Sequence, residues 1–251
     1  RWPFHVPLPS RVLAACGVKI AKHGNRSRTG RGSAEVLESL GVNIHATEQQ
    51  QRASFEEENI CFCFAPNHHK AVASVMPVRK QLGFPTIFNL LGPLSNPCNA
   101  GRQLLGVWGD QFVIPMAECL LQSSTTKSAV VHSTDGLDEV SISAPTKMVL
   151  VENGKLVESI INPEDLGLTY SKMKDLVARD LKQASSFVLD TLSGTLHGGV
   201  RDMVVINVSL GLFLADRVQD LSEGVQMAGD TIDSGCAAET LSKWAKISFS
   251  T

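Results

Sequence analysis

Residues 18–40 read VKIAKHGNRSRTGRGSAEVLESL, and this stretch decides the fold prediction. The apolar run Val18–Ala21 predicts a short strand that enters the core. Residues 22–32 are polar and punctuated by glycine, which is typical of a loop. Ser33 is expected to cap the helix that follows, and Gly41 to end it. A strand, a glycine-bearing loop and a helix in this order are typical of an α/β domain.

The alternation of strands and helices continues along the chain. Apolar runs predict further strands at Ile60–Phe64, Gln103–Trp108, Ser128–His132, Glu139–Ser143, Met148–Glu152 and Lys155–Ile160. Helical patterns cover Ser10–Cys16, Thr47–Asn59, His68–Leu82, Asp110–Leu121, 171–192, Val200–Ala215 and Leu221–Trp244. The dipeptide Asn153-Gly154 between two of the strands predicts a hairpin. Together these elements predict an α/β fold with a central, largely parallel sheet flanked by helices.

Composition excludes several classes of protein. Of the 251 residues, 43% are hydrophobic and 19% are charged, which argues against intrinsic disorder. The 23 Lys and Arg residues are balanced by 25 Asp and Glu residues, giving a net charge of −2. A general nucleic-acid binder carries a basic face, so no nucleic-acid partner is predicted. No window approaches the ~18 consecutive apolar residues of a membrane span, so no membrane association is predicted either.

The six cysteines predict a reducing compartment. Cys61 and Cys63 are closer in sequence than the usual zinc-binding pair, and the sequence has no second cysteine pair to complete a four-ligand site. We therefore expect reduced structural thiols and a cytoplasmic location, with a plastid or another organelle left open.

The loop after the first strand is a candidate phosphate site. It combines Lys22, Arg26 and Ser27 with glycines whose backbone N–H groups can approach an anion, and it leads into a helix N-terminus. A solvated basic loop is the alternative, and the residue types alone do not decide between them.

An acidic turn, Asp135–Glu139, supplies candidate metal ligands. At a junction between a loop and a strand, the adjacent carboxylates of Asp138 and Glu139 can turn toward one site. Oxygen ligands of this kind suit Mg²⁺ that also contacts substrate phosphates. Most Asp-Glu pairs are solvated surface turns, so that alternative stays open here.

A third candidate region spans residues 66–97. It contains His68, His69 and Arg79, followed by an apolar segment rich in glycine and proline around Gly92-Pro93. An arginine beside such a loop can bind a small aromatic carboxylate through two parallel hydrogen bonds. A packing or solvated role remains the alternative for each histidine.

These motifs, taken in order, resemble those of the anthranilate phosphoribosyltransferase family. The resemblance runs over nearly the whole chain. Its carriers are VKIAKHGNR (18–26), GSAEVLE (32–38), Phe64-Ala65-Pro66, His69, Val78-Arg79, TIFNLLGPLSNP (86–97), DGLDEV (135–140), Arg201-Asp202, Asn207 and Ile232–Gly235.

The resemblance implies an enzyme and assigns its site. The family transfers a phosphoribosyl group from phosphoribosyl pyrophosphate to the amine of anthranilate, a step of tryptophan biosynthesis. It implies that Asp138 and Glu139 bind Mg²⁺ bridged to the pyrophosphate. The substrate-binding residues that it implies are Lys22, His23, Gly24, Asn25, Arg26, Ser27, Ser33, His69, Arg79, Gly92 and Pro93.

Among these, Lys22, Asn25, Arg26 and Ser33 would hold the donor phosphates. Asn25 and Arg79 would hold anthranilate, with Arg79 on the carboxylate and His69 near the ring. No covalent nucleophile is expected, because the amine is itself the nucleophile. The full-length enzyme of the family is expected to be a homodimer.

The start of the chain departs from the family pattern. The family's GTGGD loop is absent ahead of Phe4, and Pro7 lacks the N–H of the donor-binding stretch that it replaces. We therefore expect residues 1–251 to be the α/β domain of an N-terminally truncated chain, with impaired donor binding. Residues of about 66–97 are expected to belong to an incomplete small helical domain. The alternatives are an inactive or nucleic-acid-binding homologue, or a pyrimidine-nucleoside phosphorylase.

Overall fold

Among the residues that the computed structural model describes, the strands form two separate sheets. The described residues are 8–27, 30, 32–69, 75, 78, 81–82, 86–123 and 125–250. The strands are β1 (Ile20–Gly24), β2 (Ile60–Phe64), β3 (Arg102–Gly106), β4 (Lys127–Ser133), β5 (Thr146–Glu152) and β6 (Lys155–Ile161). β1 and β2 form one sheet, and the other has the order β3-β4-β5-β6.

Helices surround both sheets. In chain order they are α1 (Leu8–Ala15), α2 (Ser33–Ser39), α3 (Glu48–Glu57), α4 (Ala65–His68), α5 (Ile87–Leu94), α6 (Val113–Gln122), α7 (Met173–Leu176), α8 (Leu181–Leu192), α9 (Gly199–Leu214), α10 (Leu221–Asp233) and α11 (Cys236–Ile247). Short 3₁₀ helices cover Asp110–Phe112 and Pro163–Leu166. None of the described helices has the length and apolar character needed to cross a bilayer.

The α/β class is confirmed, and the pairing within the sheets is mixed. β1 pairs with β2 and β3 pairs with β4 in parallel, whereas β4–β5 and β5–β6 are antiparallel. The predicted hairpin joins β5 to β6. Asn153 and Gly154 have φ values of 53° and 72°, the left-handed conformation that a tight two-residue turn needs.

Four predicted elements differ from the structure, one of them the helical stretch 171–192, which is divided into α7 and α8. β1 continues through Gly24, because its backbone pairs in register with β2 as far as Phe64. Residues 139–143 are not a strand. The predicted helix Leu221–Trp244 is two helices, α10 and α11, because Gly235 at φ 77° breaks the helical path between them. Much of the predicted helix His68–Leu82 lies outside the described residues.

Helix α9 contributes side chains to two of the three clusters that form the described core. Its side chains Val208 and Leu212 pack in the cluster that contains β1 and β2. Ile206 and Leu210 pack in the cluster that contains β4 and β5. A helix buried on several faces is apolar nearly all round, so the buried amide of Asn207 in the middle of it stands out.

An ion network connects β3 and β4 to Asp216, two residues after the end of α9. The Asp216 carboxylate contacts the Arg102 guanidinium and lies 2.8 Å from Lys127 Nζ, which is 3.5 Å from Glu152 Oε1. Hydrogen bonds from Arg102 and Lys127 lower the pKa of Asp216 from 3.8 to about 2. The charged form of Asp216 is therefore favoured in the folded state.

Asp216→Asn is expected to destabilise the protein at neutral pH and to have little effect near pH 2. A carboxyl whose folded pKa is depressed contributes stability that is full above about pH 4 and is lost as pH falls toward 2. Urea unfolding of wild type and variant at both pH values measures the difference. The exposed Asp165→Asn is the control. An equal loss at both pH values would contradict a charge-dependent contribution.

Candidate functional site

The candidate site lies at the carboxyl ends of β1 and β2. Because these strands are parallel, Gly24 pairs with Phe64 and both loops leave the sheet at the same edge. Ligands of open α/β sheets gather at such an edge. Lys22, His23 and Gly24 belong to the strand, and Asn25 and the residues after it form the loop. The loop therefore begins at Asn25, three residues later than predicted.

Lys22 connects this edge to the acidic turn. Burial lowers the pKa of Lys22, and the charge of Glu139 opposes that shift. The two side chains thus interact electrostatically although they lie far apart in the sequence. Two of the three candidate regions meet at one place in the fold.

The two adjacent carboxylates are costly to charge together. Burial raises the pKa of Glu139 strongly, the negative charge of Asp138 raises it further, and Lys22 opposes both effects. Two carboxylates that repel one another in a partly buried turn are stabilised by a divalent cation between them. The donor set of hard oxygen atoms beside a lysine therefore fits Mg²⁺ with a phosphate ligand.

Asn207 holds the acidic turn against α9. Its Oδ1 accepts a hydrogen bond of 3.0 Å from Val140 N, and its Nδ2 donates to Val140 O at 2.8 Å and to Met203 O at 2.8 Å. Ser141 N donates to Thr146 Oγ1 at 3.0 Å. Side chains thus form hydrogen bonds with the backbone groups that would otherwise pair with a neighbouring strand. This explains why 139–143 is not a strand.

Asn207→Leu is expected to lower the free energy of unfolding by about 3 kcal/mol, because both buried backbone groups of Val140 lose their partner. The turn should shift, so kcat/KM should also fall. Asn43→Leu is the matched control, since Asn43 bonds backbone groups of His45 and Ser248 far from this turn. Urea unfolding and steady-state kinetics separate the effects. Equal loss of kcat/KM in both variants would contradict a role at the site.

The loop after β1 is fixed by two glutamates of α2. Arg26 Nη1 and Nη2 donate to the Glu38 carboxylate at 2.6 and 2.7 Å. Ser27 N donates to Glu35 Oε1 at 3.0 Å. Gly32 is needed beside it, since a Cβ there would lie 2.5 Å from Ser27 Cβ. The guanidinium of Arg26 is thereby oriented and remains exposed at the sheet edge.

Ser33 does not cap α2 as predicted. The N-cap residue is Gly32, in extended conformation, and Ser33 is the first helical residue and is buried. Asn25 lies exposed at the start of the loop, where its Oδ1 accepts from Arg26 N at 2.7 Å. Both residues remain on the segment that joins β1 to α2.

A histidine pair joins β1 to the third candidate region. His23 Nδ1 lies 3.2 Å from Gly92 O, which can only accept, so Nδ1 carries the hydrogen. His69 Nε2 lies 3.1 Å from His23 Nε2 and donates to it when His23 is neutral. Burial lowers the pKa of His23, with the charge of His69 acting in the same direction. Gly92 and its neighbour Pro93 in α5 are thus placed beside the sheet edge.

Of the predicted residues, Arg79 lies outside the described residues. Sequence reasoning missed Glu35 and Glu38, although both stand within the quoted stretch 32–38. It also missed Gly106, where a Cβ would overlap the backbone carbonyl of Asp138. The hydrogen bonds by which Asn207 holds the acidic turn through Val140 were missed as well. No local signal marks these last two, because their partners are distant in sequence.

Comparisons with known proteins show the family of the chain. Residues 8–238 match the family described as "Glycosyl transferase family, a/b domain". The chain is 41% identical over 233 residues to an anthranilate phosphoribosyltransferase of Thermoanaerobacter sp. (strain X514), covering 92% of this chain and 69% of that protein. It is 42% identical over 242 residues to one of Ruminiclostridium cellulolyticum, covering 96% and 71%.

Solved structures are similar too. The anthranilate phosphoribosyltransferase of Thermus thermophilus superposes with a TM-score of 0.93 at 33% identity, covering 100% of this chain and 75% of that one. The Saccharomyces cerevisiae enzyme in complex with PRPP and Mg has a TM-score of 0.87 at 25% identity, covering 98% and 70%. The same yeast enzyme has also been solved with 4-fluoroanthranilate.

Proposed function

Because the chain belongs to the anthranilate phosphoribosyltransferases of the glycosyl transferase family, we propose that it transfers the phosphoribosyl group of phosphoribosyl pyrophosphate to anthranilate. Pyrophosphate is released, and the reaction belongs to tryptophan biosynthesis. The observation that carries the proposal is the family match over residues 8–238, with 41% identity over 92% of the chain to an anthranilate phosphoribosyltransferase. The electrostatic interaction of Lys22 with Glu139 supports it.

The loop after β1 would hold the donor phosphates. Lys22 and Arg26 supply positive charge, and the backbone of Gly24 and Ser27 lies at the same sheet edge. Arg26 reaches this edge already oriented by Glu38, so it loses little freedom when it binds an anion. We assign Asn25 and Ser33 to the same donor site.

Asp138 and Glu139 would hold Mg²⁺. When bound, Mg²⁺ neutralises charge on the pyrophosphate oxygens as that group leaves. Asp138 and Glu139 would provide the oxygen ligands, and Glu139 interacts electrostatically with Lys22. Asn207 keeps their turn in place through Val140. Lys22 adds a second positive charge for the departing group.

Anthranilate would bind between the loop after β1 and residues 66–97. His69 and Gly92 are joined through His23, and Pro93 follows directly in α5. We assign Asn25, His69, Gly92 and Pro93 to this subsite, with Arg79 for the carboxylate.

The transfer needs positioning more than a reactive side chain. The anthranilate nitrogen forms a bond to the anomeric carbon, the bond from that carbon to the pyrophosphate oxygen breaks, and the nitrogen loses one proton. Positive charge gathers on the ribose ring as pyrophosphate leaves, so oriented charges around the leaving group lower the barrier. No covalent intermediate with the chain is involved in this scheme.

We also infer a homodimer in a reducing compartment such as the cytoplasm. Four apolar side chains on the described part of 78–91 are exposed, and a second copy would cover them: Val78, Leu82, Ile87 and Leu91. The six cysteines are all free, which supports the compartment. Sedimentation equilibrium tests the dimer.

The test is a direct assay of the reaction. Loss of anthranilate fluorescence should require both phosphoribosyl pyrophosphate and Mg²⁺, and excess EDTA should stop it. Pyrophosphate should appear in equal amount. Thymidine with inorganic phosphate serves as the competing substrate pair. Phosphorolysis of thymidine, or no consumption of anthranilate at saturating donor, would overturn the proposal.

A further inference from the structure

Three thiols that are distant in sequence converge beside β2. Cys61 and Cys63 lie on the buried strand, and Cys98 lies in the exposed turn after α5. Their sulfur atoms all lie within 4.8 Å of one another, and the Sγ atoms of Cys63 and Cys98 are 3.5 Å apart. In the described part of the chain, no other group of His, Cys, Asp or Glu side chains brings three ligand atoms together in this way.

The backbone fixes this arrangement. Cys61 and Cys63 are two apart on a strand, so their side chains point to the same face. Cys98 is held by Asn96, whose Oδ1 accepts from Cys98 N at 3.0 Å and whose Nδ2 donates to Ala21 O on β1 at 2.9 Å. Asn96 therefore links Cys98 to β1 and keeps the third sulfur near the other two. A preorganised set of donors costs little to bring together on binding.

We propose that Cys61, Cys63 and Cys98 form a site for a thiophilic metal ion, Cu(I), bound by three thiolates. An ion about 2.3 Å from each of three sulfurs in one plane holds them about 4 Å apart, which the observed spacing accommodates. Thiolates select soft ions such as Cu(I). Structural zinc almost always takes four ligands, whereas this part of the described structure offers three.

The site is chemically distinct from the carboxylate pair of the transferase site. Mg²⁺ prefers oxygen ligands and Cu(I) prefers sulfur, so the two ions would not compete. The hydrogen bond with Cys61, together with burial, raises the pKa of Cys63, and burial raises the pKa of Cys98 to about 11. Cys63 and Cys98 form an S–H···S contact, with their Sγ atoms 3.5 Å apart, and a metal ion would replace it.

The test uses the reduced chain under anaerobic conditions. Cu(I) is titrated in competition with the chromogenic chelator bathocuproine disulfonate. We expect one Cu(I) per chain, and X-ray absorption should show sulfur neighbours at about 2.3 Å. Cys98→Ser should weaken binding at least tenfold. The matched control is Cys119→Ser, since Cys119 is an exposed thiol of α6 outside the cluster.

Several results would overturn the proposal. They are the loss of all Cu(I) to the chelator, unchanged affinity in Cys98→Ser, and nitrogen or oxygen neighbours in place of sulfur. Tighter binding of Zn²⁺ than of Cu(I) would also overturn the choice of ion. Because Cys98 is exposed, its substitution is not expected to disturb folding, and circular dichroism of the variant verifies this.

Discussion

Asp138→Asn combined with Glu139→Gln is expected to lower kcat/KM for phosphoribosyl pyrophosphate by about 100-fold or more. Metal stabilisation of developing charge contributes several kcal/mol, and each 1.4 kcal/mol is about tenfold in rate. The amides keep the shape of both side chains but are poor ligands for Mg²⁺. Initial rates measured over a range of Mg²⁺ concentrations report the loss.

The fold should survive this double substitution. Burial and the charge of Asp138 already disfavour the ionised form of Glu139, so removing both charges relieves repulsion in the metal-free protein. We expect the free energy of unfolding at neutral pH to change little, because the lost attraction between Glu139 and Lys22 offsets the relieved repulsion. Loss of activity together with retained stability would separate ligand binding from a structural role.

Glu164→Gln with Asp165→Asn is the matched control. This pair is also adjacent, but it is exposed, and the two substitutions remove the same charge from a short helix. Isothermal titration with donor and Mg²⁺ should show wild-type affinity for the control and none for the Asp138/Glu139 variant. If both variants bind the donor equally well, Asp138 and Glu139 form only a surface turn.

The sequence predicted the elements of the fold well where the signal is local. The hairpin at Asn153-Gly154 follows from residues that adopt the left-handed conformation. Strand β2 follows from the apolar run Ile60–Phe64, whose five residues are all buried. The helix predicted over Thr47–Asn59 is likewise found as α3, and the structure adds a capping box between Thr47 and Gln50 at its start. Short-range preferences of this kind need no knowledge of the rest of the chain.

Predictions were weaker where a distant partner decides the structure. Lys22–Gly24 has the composition of a loop, yet pairing with β2 extends the strand through it. Residues 139–143 alternate like a strand, but Asn207 and Thr146 take up their backbone groups. Periodicity could not reveal either outcome, because it does not show which partner the backbone groups will find.

The candidate site shows the same division. Its basic and acidic segments could be chosen from residue type, but their meeting through Lys22 and Glu139 is a property of the fold. The third sulfur beside Cys61 and Cys63 comes from Cys98, 35 residues after Cys63. From their spacing, Cys61 and Cys63 are expected to be reduced structural thiols, because the chain path that brings Cys98 back is not encoded locally.

Gly106→Ala is the second substitution with a large expected effect. Gly106 ends β3, and a Cβ at this position would overlap the carbonyl oxygen of Asp138 and lie 2.5 Å from its carbonyl carbon. The obstacle is backbone, which cannot swing aside as the end of a long side chain can. The acidic turn must therefore move away from β3.

We expect kcat/KM to fall about as far as in the Asp138/Glu139 variant, although every predicted ligand is still present. Displacement of a positioned group by about 1 Å costs on the order of 100-fold. Overpacking should also lower the free energy of unfolding by about 1–3 kcal/mol. Steady-state kinetics and urea unfolding of the same preparation measure both effects.

Gly229→Ala provides the control for adding one methyl group. Gly229 lies within α10, and its nearest neighbour for a new Cβ is the flexible end of Arg201 at 3.4 Å. Alanine is the better helix former, so stability should be kept or slightly raised. If Gly106→Ala retained the kcat/KM of the Gly229→Ala control, the turn could shift freely. In that case close packing of β3 against Asp138 would not be what positions the carboxylates.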